Sequence, residues 1–545
     1  MPDSIQDAKL NAQPSPQALS GGRMARAALV VMVAYVASGV LGLVRQAVIG
    51  AAYGAGPEFD AFVAAQRIPE LLFNLVAGGA LGSAFIPVFS GFLAREDQEG
   101  AWRLAGAVIT LLTAATVALA GLTFALADPL VAHLLRPDDP PAQQALVAAL
   151  LRIMLSTVVI FGISGLLMAI LNAHQHFWRP AVALSLYNLG IIFGAVALTP
   201  LMGVHGLAWG TVIGALLHLG VQVPELRRIG ARWRPSLSLH APGVREVITL
   251  MGPRVIGQGV VQINFVVIVA FTSGMVEGAL TAVQTAFILM FTALGIIGQS
   301  LGTAVFPSLA TLAAREDWPG YRRTLGGALR SVLFLAIPAS VGLVVLAEPL
   351  VALLFQRRAW TAEATAGTAW ALQGFAVGLV GHAVLEILAR AFYALHDTWT
   401  PVLVGVGTML LNIALNVVLI RVVGEPGSLA RGPFAGLALA MSLATALEST
   451  TLWLLLRRRI GGMDGARTWA LAWRSLLAAG AMGAALWGWQ QALAGGHALV
   501  VVGLGVALGA GLFFGVALLL GLEEARTIPA MLLRRLGRWG RAPGT

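Results

Sequence analysis

Long apolar stretches recur along the whole chain and are separated by short polar connectors. Each stretch has about 20 residues or more, which is the length that an α-helix needs to cross a bilayer. A membrane β-barrel would instead show segments of about ten residues with alternating polarity. The pattern therefore predicts an all-α polytopic membrane protein with about 14 transmembrane helices. The predicted spans are 27–51, 60–90, 102–126, 146–172, 179–201, 204–224, 246–272, 278–311, 325–347, 364–394, 399–422, 433–456, 468–492 and 497–522.

The composition supports the membrane class and excludes several chemistries. Of the 545 residues, 58% are hydrophobic and 11% are charged, whereas soluble domains carry about 25% charged residues. The chain has no cysteine, which excludes disulfides, thiolate nucleophiles and cysteine-held metal clusters. Its one lysine, Lys9, lies in the polar N-terminal tail, so no P-loop can form. We therefore expect no cofactor, no metal and no nucleotide.

The basic residues are distributed unevenly between the two sets of connectors. If the N-terminus is cytoplasmic, 24 basic residues fall in cytoplasmic segments and five fall in the opposite loops. Those five are Arg136, Arg357, Arg358, Arg421 and Arg431. The positive-inside rule then predicts that both termini are cytoplasmic. This topology explains the formal charge of +10 and indicates contact with the phospholipid bilayer, with no nucleic-acid partner.

The chain contains an internal duplication at an offset of 220 residues. Gly82 and Pro87 return as Gly302 and Pro307, and the loop sequence at 94–97 returns at 314–317. Further matches are Gly100 with Gly320, 128–132 with 348–352 and, after one inserted residue, Trp178 with Trp399 and Pro180 with Pro401. Each copy spans six helices, so both copies begin on the same face and the two lobes run parallel.

The duplication predicts the domain organisation. The predicted units are a cytoplasmic polar tail at 1–26, an N-lobe at 27–226, a basic linker at 227–245, a C-lobe at 246–459, a helix pair at 460–522 and a basic tail at 523–545. Two parallel lobes leave a central cleft that can open to either face, which favours a transporter that works by alternating access. The alternative is a larger bundle around an enzyme site. No catalytic triad or metal-ligand spacing is recognisable, so the sequence favours a protein that is not an enzyme.

Charged residues inside the spans are the candidate site residues of the N-lobe. A charge at the bilayer centre costs about 2.5–3.5 kcal/mol, so it should face a cavity, a partner or a ligand. Arg45 lies in the first span, and Asp60, Arg67 and Glu70 lie roughly on one face of the second. An arginine–aspartate pair that joins the two helices is the structural alternative.

The C-lobe has two polar stripes with helical spacing. The stripe in the seventh span has one charge and two amides, and it should line the cavity; its members are Arg254, Gln258 and Gln262. The stripe in the tenth span also repeats every four residues, and its members are His382, Glu386 and Arg390. This second stripe is either a polar relay for protons or an intrahelical ion pair at the cytoplasmic edge.

Several short motifs occur in one order along the chain. They are LGLVR at 41–45, YGAG at 53–56, DAF at 60–62, RIP at 67–69, AFIP at 84–87, MGP at 251–253, LGT at 301–303 and FPSL at 306–309. In this order they resemble the MurJ (MviN) family of lipid II flippases, which belongs to the multidrug/oligosaccharidyl-lipid/polysaccharide (MOP) exporter superfamily. The resemblance covers roughly residues 27–525 and implies the same fold of 14 helices and two lobes.

The resemblance also implies a function and site roles. Such proteins move an undecaprenyl-pyrophosphate-linked peptidoglycan precursor across the bacterial cytoplasmic (inner) membrane, in cell-wall biosynthesis and beside other cell-wall synthesis proteins. Arg45 and Asp60 match family functional positions. Arg45, Arg67 and Arg254 would bind the pyrophosphate, since the arginine fork suits phosphate. Asp60 and Glu70 would serve gating or coupling, and an ion gradient or the membrane potential would supply energy.

Three alternatives remain open at the level of the sequence. An exporter of another polyprenyl-linked glycan shares every feature described above. A cation-coupled small-molecule exporter on the same fold predicts an acidic, aromatic cavity and a mild effect of reversing the charge of Arg45. A scaffold without transport activity predicts that neutralising Arg45, Arg67 and Arg254 changes nothing.

Overall fold

The computed structural model describes residues 21–76, 79–232, 234–493 and 495–527, and this part of the chain is helical throughout apart from its connectors. The N-terminal half contains α1 (Gly21–Tyr53), α2 (Pro57–Val76), α3 (Gly79–Ala94), α4 (Gln98–Ala125), α5 (Ala127–Leu130), α6 (Pro141–Ala173), α7 (Trp178–Phe193), α8 (Thr199–Met202), α9 (His205–Gly220) and α10 (Val223–Arg228). The C-terminal half contains α11 (Val244–Phe271), α12 (Ala279–Leu294), α13 (Ser300–Ala314), α14 (Trp318–Val345), α15 (Ala347–Phe355), α16 (Ala362–Ala394), α17 (Trp399–Val422), α18 (Ala435–Arg459), α19 (Gly465–Ala492) and α20 (Ala498–Leu519). Three π-helical segments, Val131–Leu135, Gly194–Leu198 and Gly295–Gln299, follow α5, α7 and α12.

The membrane class predicted from the sequence is confirmed. Twelve helices in the described residues are long and apolar enough to cross a bilayer. The predicted spans at 60–90 and 246–272 contain only shorter apolar helices, at Ala84–Ala94 and Gln262–Phe271. In α2 the reason is its charge, because Glu58, Asp60, Arg67 and Glu70 lie within one helix of 20 residues. The count of about 14 spans stays a prediction.

The two halves repeat the same backbone conformations at the predicted offset. Gly54 and Gly274 are left-handed, with φ of 66° and 69°, and so are Glu96 and Glu316, with φ of 58° and 55°. The loops 94–97 and 314–317 end in the same helix cap, because Asp97 accepts a hydrogen bond from the amide of Gly100 and Asp317 from that of Gly320. The duplication therefore extends from the sequence to individual backbone dihedral angles.

The helices pack as two groups. In the first, α2, α4 and α9 pack on α6, and α1 and α9 pack on α7. In the second, α12, α14 and α18 pack on α16, and α17 packs on α18. Helix α11 lies between the groups, in contact with α2 and α3 on one side and α17 on the other. The last two helices pack on each other, with α19 against α14 and α20 against α15.

The two groups meet at one face of the molecule. Here α1 and α11 end and α2 and α12 begin, and we refer to it as the distal face. In the described residues, the hydrogen bonds that join α1–α9 to the chain beyond residue 268 all lie within a few turns of this face. On the first side they involve residues 46, 51, 60, 67 and 136–139, and on the second side residues 269–285 and 359. The distal side is thus the closed side of the molecule.

Candidate functional site

A cavity between the two helix groups contains three of the predicted site residues. Arg45 from α1 and Arg67 and Glu70 from α2 line it, together with the amides of Gln66 and Gln284. Gln284 comes from α12, so the cavity has walls from both halves of the chain. The two arginines and one glutamate give these walls a net charge of one positive unit, which suits an anionic ligand.

The side chain of Arg45 is positioned by a hydrogen bond to an amide side chain and not by a carboxylate. Its Nη1 donates to Oδ1 of Asn188 in α7 at 3.1 Å. The side-chain amide of Asn188 in turn donates to the backbone oxygen of Ser38, about two turns earlier in α1, at 3.3 Å. Among the described residues no carboxylate forms an ion pair with Arg45. The positive charge is therefore oriented by its neighbours and left available for a ligand.

Arg67 connects the two walls of the cavity. Its Nη1 donates to Oε2 of Glu70 at 2.9 Å, and its Nη2 donates to Oε1 of Gln284 across the cleft. The guanidinium lies 5.3 Å from the ring centroid of Phe265 in α11, a cation–π distance. Only 8% of Arg67 is exposed, and its Nε has no hydrogen-bond partner among the described residues. Arg67 thus holds one unused donor at a buried position.

Asp60 lies outside this cavity and caps a helix of the other half. The carboxylate accepts from the backbone amides of Gly278 and Thr281 at 2.8 and 2.7 Å and from the Thr281 hydroxyl at 2.6 Å. These donors form the N-terminus of α12, where a negative charge is favourable. Asp60 is 2% exposed. It therefore joins α2 to α12 at the distal face, and the arginine partner that the sequence left open for it is not among its bonded neighbours.

The remaining predicted residues lie elsewhere or outside the described set. The side chains of Arg254 and Gln258 in α11 are outside the described residues, and Gln262 is partly buried in the same helix. Glu386 and Arg390 pair within α16, and Arg390 packs against Gly302 of α13, away from the cavity. The ring of His382 takes no part in that pair, and its Nε2 is buried without a partner among the described residues. The geometry of Glu386 and Arg390 is that of the intrahelical ion pair.

The uncharged residues that complete the site are not among those predicted from the sequence. Gln46 of α1 donates to the Thr285 hydroxyl of α12 at 3.0 Å, and Asn188 and Gln284 hold the two cavity arginines. All three are amides inside apolar helices. The available signal was the same one that identified the charges, since a buried amide also needs a partner. That signal is present in α1, α7 and α12 as well as in α11.

Similarity to known proteins agrees with this architecture. A solved structure of a lipid II flippase MurJ in an inward closed conformation matches with a TM-score of 0.75 and 22% identity, over 90% of this chain and 98% of that one. An inward-facing multidrug resistance transporter of the MATE family, in the MOP superfamily, matches with a TM-score of 0.63 and 14% identity, over 78% and 94%. The duplicated, two-lobed helical fold is therefore that of the MOP transporters.

The sequence comparisons identify the family within that class. The family model described as lipid II flippase MurJ matches residues 49–519. The lipid II flippase MurJ of Burkholderia cenocepacia is 32% identical over 80% of this chain and 84% of the relative. A probable lipid II flippase MurJ of Vibrio cholerae is 29% identical over 92% and 97%. The chain belongs to the MurJ family, as its motifs predicted.

Proposed function

We propose that this protein moves lipid II, the undecaprenyl-pyrophosphate-linked peptidoglycan precursor, from the inner to the outer leaflet of the bacterial cytoplasmic membrane. The observation that carries the proposal is the cavity between the two halves, in which Arg45 and Arg67 supply guanidinium groups at membrane depth. A pyrophosphate is the part of such a cargo that needs cations, and arginine binds phosphate oxygens in pairs. Family membership gives the chemical class of the cargo.

The proposed cycle assigns a role to each bonded neighbour. Arg45, held by Asn188, receives the pyrophosphate, and Arg67 turns from Glu70 toward the same anion through its unused Nε. Asp60 releases the N-terminus of α12 when the distal side opens, because its three hydrogen bonds cross between the halves. The distal face is then the outer face of the membrane, with both termini inside, and an ion gradient or the membrane potential drives the movement. The enzymes that make and use the precursor are the expected neighbours in the membrane.

The decisive experiment is rescue of a bacterium depleted of its own lipid II flippase. The wild-type chain should restore growth, and Arg45→Ala should restore it poorly, because loss of one charge-assisted hydrogen bond lowers the affinity for the pyrophosphate roughly 10- to 100-fold. Arg152→Ala is the matched control, because Arg152 pairs with Asp128 at 2.6 Å outside the cavity. Immunoblots of membranes should show equal amounts of all three proteins. Rescue by Arg45→Ala equal to wild type would contradict the assigned role of this residue.

A second cargo is favoured by the composition of the cavity walls. Both cations that line the cavity come from the first half, and among the described residues the second half presents only uncharged groups, Gln284 and Ile288 in the cavity and Phe265 and Phe287 in the pocket beside it that shares Arg67. A cleft that is cationic on just one side has groups for the pyrophosphate but no charged groups that select a particular glycan. It can therefore bind any polyprenyl-pyrophosphate-linked glycan, because all of them share the pyrophosphate. Flipping assays in proteoliposomes with lipid II and with another polyprenyl-linked glycan separate the two. If only the second lipid were transported, that lipid and not lipid II would be the cargo.

A further inference from the structure

A buried ion pair at the distal face is not part of the cavity. Arg136 and Asp139 lie in the loop before α6 and are 5% and 9% exposed. Nε of Arg136 donates to Oδ2 of Asp139 at 2.6 Å. The loop is fixed to the first half, because the Gln144 side chain donates to the backbone oxygen of Arg136 at 2.8 Å.

This loop is hydrogen-bonded to the second half at the end of α11. Nη1 of Arg136 donates to the Thr272 hydroxyl at 3.1 Å. The hydroxyl of Ser273 accepts from the amide of Asp138 at 2.9 Å and donates to Oδ1 of Asp139 at 3.1 Å, and the amide of Gly274 donates to the same Oδ1 at 3.0 Å. Four hydrogen bonds therefore cross between the halves at residues 136–139 and 272–274, which we call the polar clasp.

The duplication provides a second contact at the related position. The loop 357–360 lies against the end of α1 at residues 50–54, and the amide of Ala359 donates to the backbone oxygen of Ala51 at 3.3 Å. Trp360 is 2% exposed and lies against Gly50, where an added Cβ would be 2.8 Å from the ring. We call this contact the apolar clasp. At the positions of Arg136 and Asp139 it has Gln356 and Ala359, so the ion pair is present in one repeat only.

We propose that Arg136 and Asp139 are positioning residues that hold the distal side closed and set how often it opens. Both charges belong to the same loop of the same half, so parting of the two halves exposes an intact, neutral pair. No lone charge is left behind, which would otherwise be costly. The hydrogen bonds to Thr272, Ser273 and Gly274 are lost, and water can replace them. The polar clasp can therefore open and close repeatedly, whereas the apolar clasp must expose a tryptophan each time.

The proposal concerns access to the cleft and does not depend on which lipid is carried. The chain has no cysteine, so an introduced pair of cysteines is the only pair that takes spin labels. Ala142 and Ala362 are exposed, lie in the first turns of α6 and α16, and are related by the 220-residue offset. Double electron–electron resonance between labels at these two positions, in lipid nanodiscs without substrate, reports the opening of the distal side.

The first variant removes both charges and retains volume, Arg136→Met with Asp139→Leu. We expect the population with a long distance between labels to rise roughly tenfold relative to wild type, as the loss of several interlobe hydrogen bonds predicts. Arg152→Gln with Asp128→Asn is the matched control, because that 2.6 Å ion pair lies within the first half. The control should keep the wild-type distance distribution. An unchanged distribution in the Arg136→Met, Asp139→Leu protein would overturn the proposal.

A second variant distinguishes the loss of the interlobe hydrogen bonds from misfolding of the loop that contains Arg136 and Asp139. Ser273→Ala removes the hydroxyl that bonds Asp138 and Asp139 and leaves the Arg136–Asp139 pair intact. We expect the same shift to longer distances, about threefold in population, in a chain whose N-terminal half is unaltered. A wild-type distribution in Ser273→Ala would show that the hydrogen bonds do not hold the face closed and would also overturn the proposal. Loss of flipping with normal opening would instead point to the cargo assignment.

Discussion

The two halves of the molecule differ most where they face each other across the cleft. Arg45, Arg67 and Glu70 of the first half correspond, at the offset of 220, to Phe265, Phe287 and Met290 of the second. The Phe265 and Phe287 rings pack edge to face with centroids 5.2 Å apart, and Phe287 packs on Phe375 at 5.6 Å. The first wall is therefore polar and charged, and the second is aromatic.

A duplicated fold retains the features that connect its helices. The left-handed residues and helix caps recur in both halves, because they fix how the helices connect and any change there misplaces a whole helix. The side chains that face the cleft carry no such constraint, so one repeat has charged residues there and the other has aromatic rings. Three sets of substitutions test this division of the molecule into a shared backbone and divergent walls.

The largest effect is expected from an alanine at a shared left-handed glycine. Gly54 has a φ of 66°, and an added Cβ would lie 2.5 Å from the backbone oxygen of Ala359. Left-handed strain and overpacking together should lower the free energy of unfolding by about 3 kcal/mol in Gly54→Ala. The related Gly274→Ala meets only the Asp138 side chain at 2.8 Å, so about 1–2 kcal/mol is expected. Denaturation of the purified proteins in one detergent measures both.

Two outcomes would contradict the predicted order of Gly54→Ala and Gly274→Ala. Equal losses in Gly54→Ala and Gly274→Ala would mean that the backbone angle alone decides the cost and that the contact with Ala359 contributes nothing. A larger loss in Gly274→Ala would place the more rigid contact in the polar clasp. Gly427→Ala provides a reference, because Gly427 has a φ of 81° with open space around it, and it isolates the cost of the angle.

The charged wall should show an intermediate effect that separates stability from transport. Arg67→Leu leaves Glu70 and Gln284 without their donor and should cost about 1–2 kcal/mol, a modest value because 39% of the Glu70 side chain is exposed. Arg67→Leu with Glu70→Leu should recover most of that stability and still fail to transport. Phe287→Leu in the aromatic wall should cost about 1 kcal/mol and keep transport. Thermal unfolding and the rescue assay measure the two properties, and wild-type transport by the double variant would contradict the anion-binding role of this wall.

The parts of the fold that the sequence predicted are those encoded locally or by repetition. Apolar length predicted the membrane helices, and the offset of 220 predicted which loops share a conformation. The pairings across the cleft could not be predicted, because Asp60 and Thr281 are 221 residues apart and nothing local in either segment marks them as partners. In the sequence Arg136 is one of five arginines in the loops opposite the cytoplasm, and its burial depends on how the second half packs against that loop. Long-range packing therefore decided which charges serve the cavity and which hold the halves together.

The smallest effect is expected at the opposite face, where the two repeats place the acidic residue on different segments. In the second half Asp397 accepts from the amide and hydroxyl of Thr400 at 2.9 and 2.7 Å and pairs with Arg459 of α18. At the corresponding place in the first half the acid is instead Glu225, after α9, and it pairs with His176 at 3.2 Å. Burial would raise the pKa of Asp397, but the hydrogen bonds from Thr400 and the charge of Arg459 outweigh it and hold that pKa below its ordinary value.

A lowered folded-state pKa means that the carboxylate stabilises the protein above the unfolded pKa and that this stability is lost as the pH falls through the folded value. Asp397→Asn should therefore cost less than about 1 kcal/mol, since the Arg459 side chain is 48% exposed, and the cost should stay constant from pH 8 to about pH 5. As the pH falls below the ordinary aspartate pKa of about 4 and on through the lower folded value, the wild type and the variant should converge, because the wild-type carboxyl takes up its proton over this range. Unfolding of both proteins across this pH range in detergent measures the difference. A difference in unfolding free energy that persisted undiminished below the folded pKa would show that the stabilisation does not depend on the charge of Asp397. It would then depend on the hydrogen bonds from Thr400, of which an amide side chain can accept only a part.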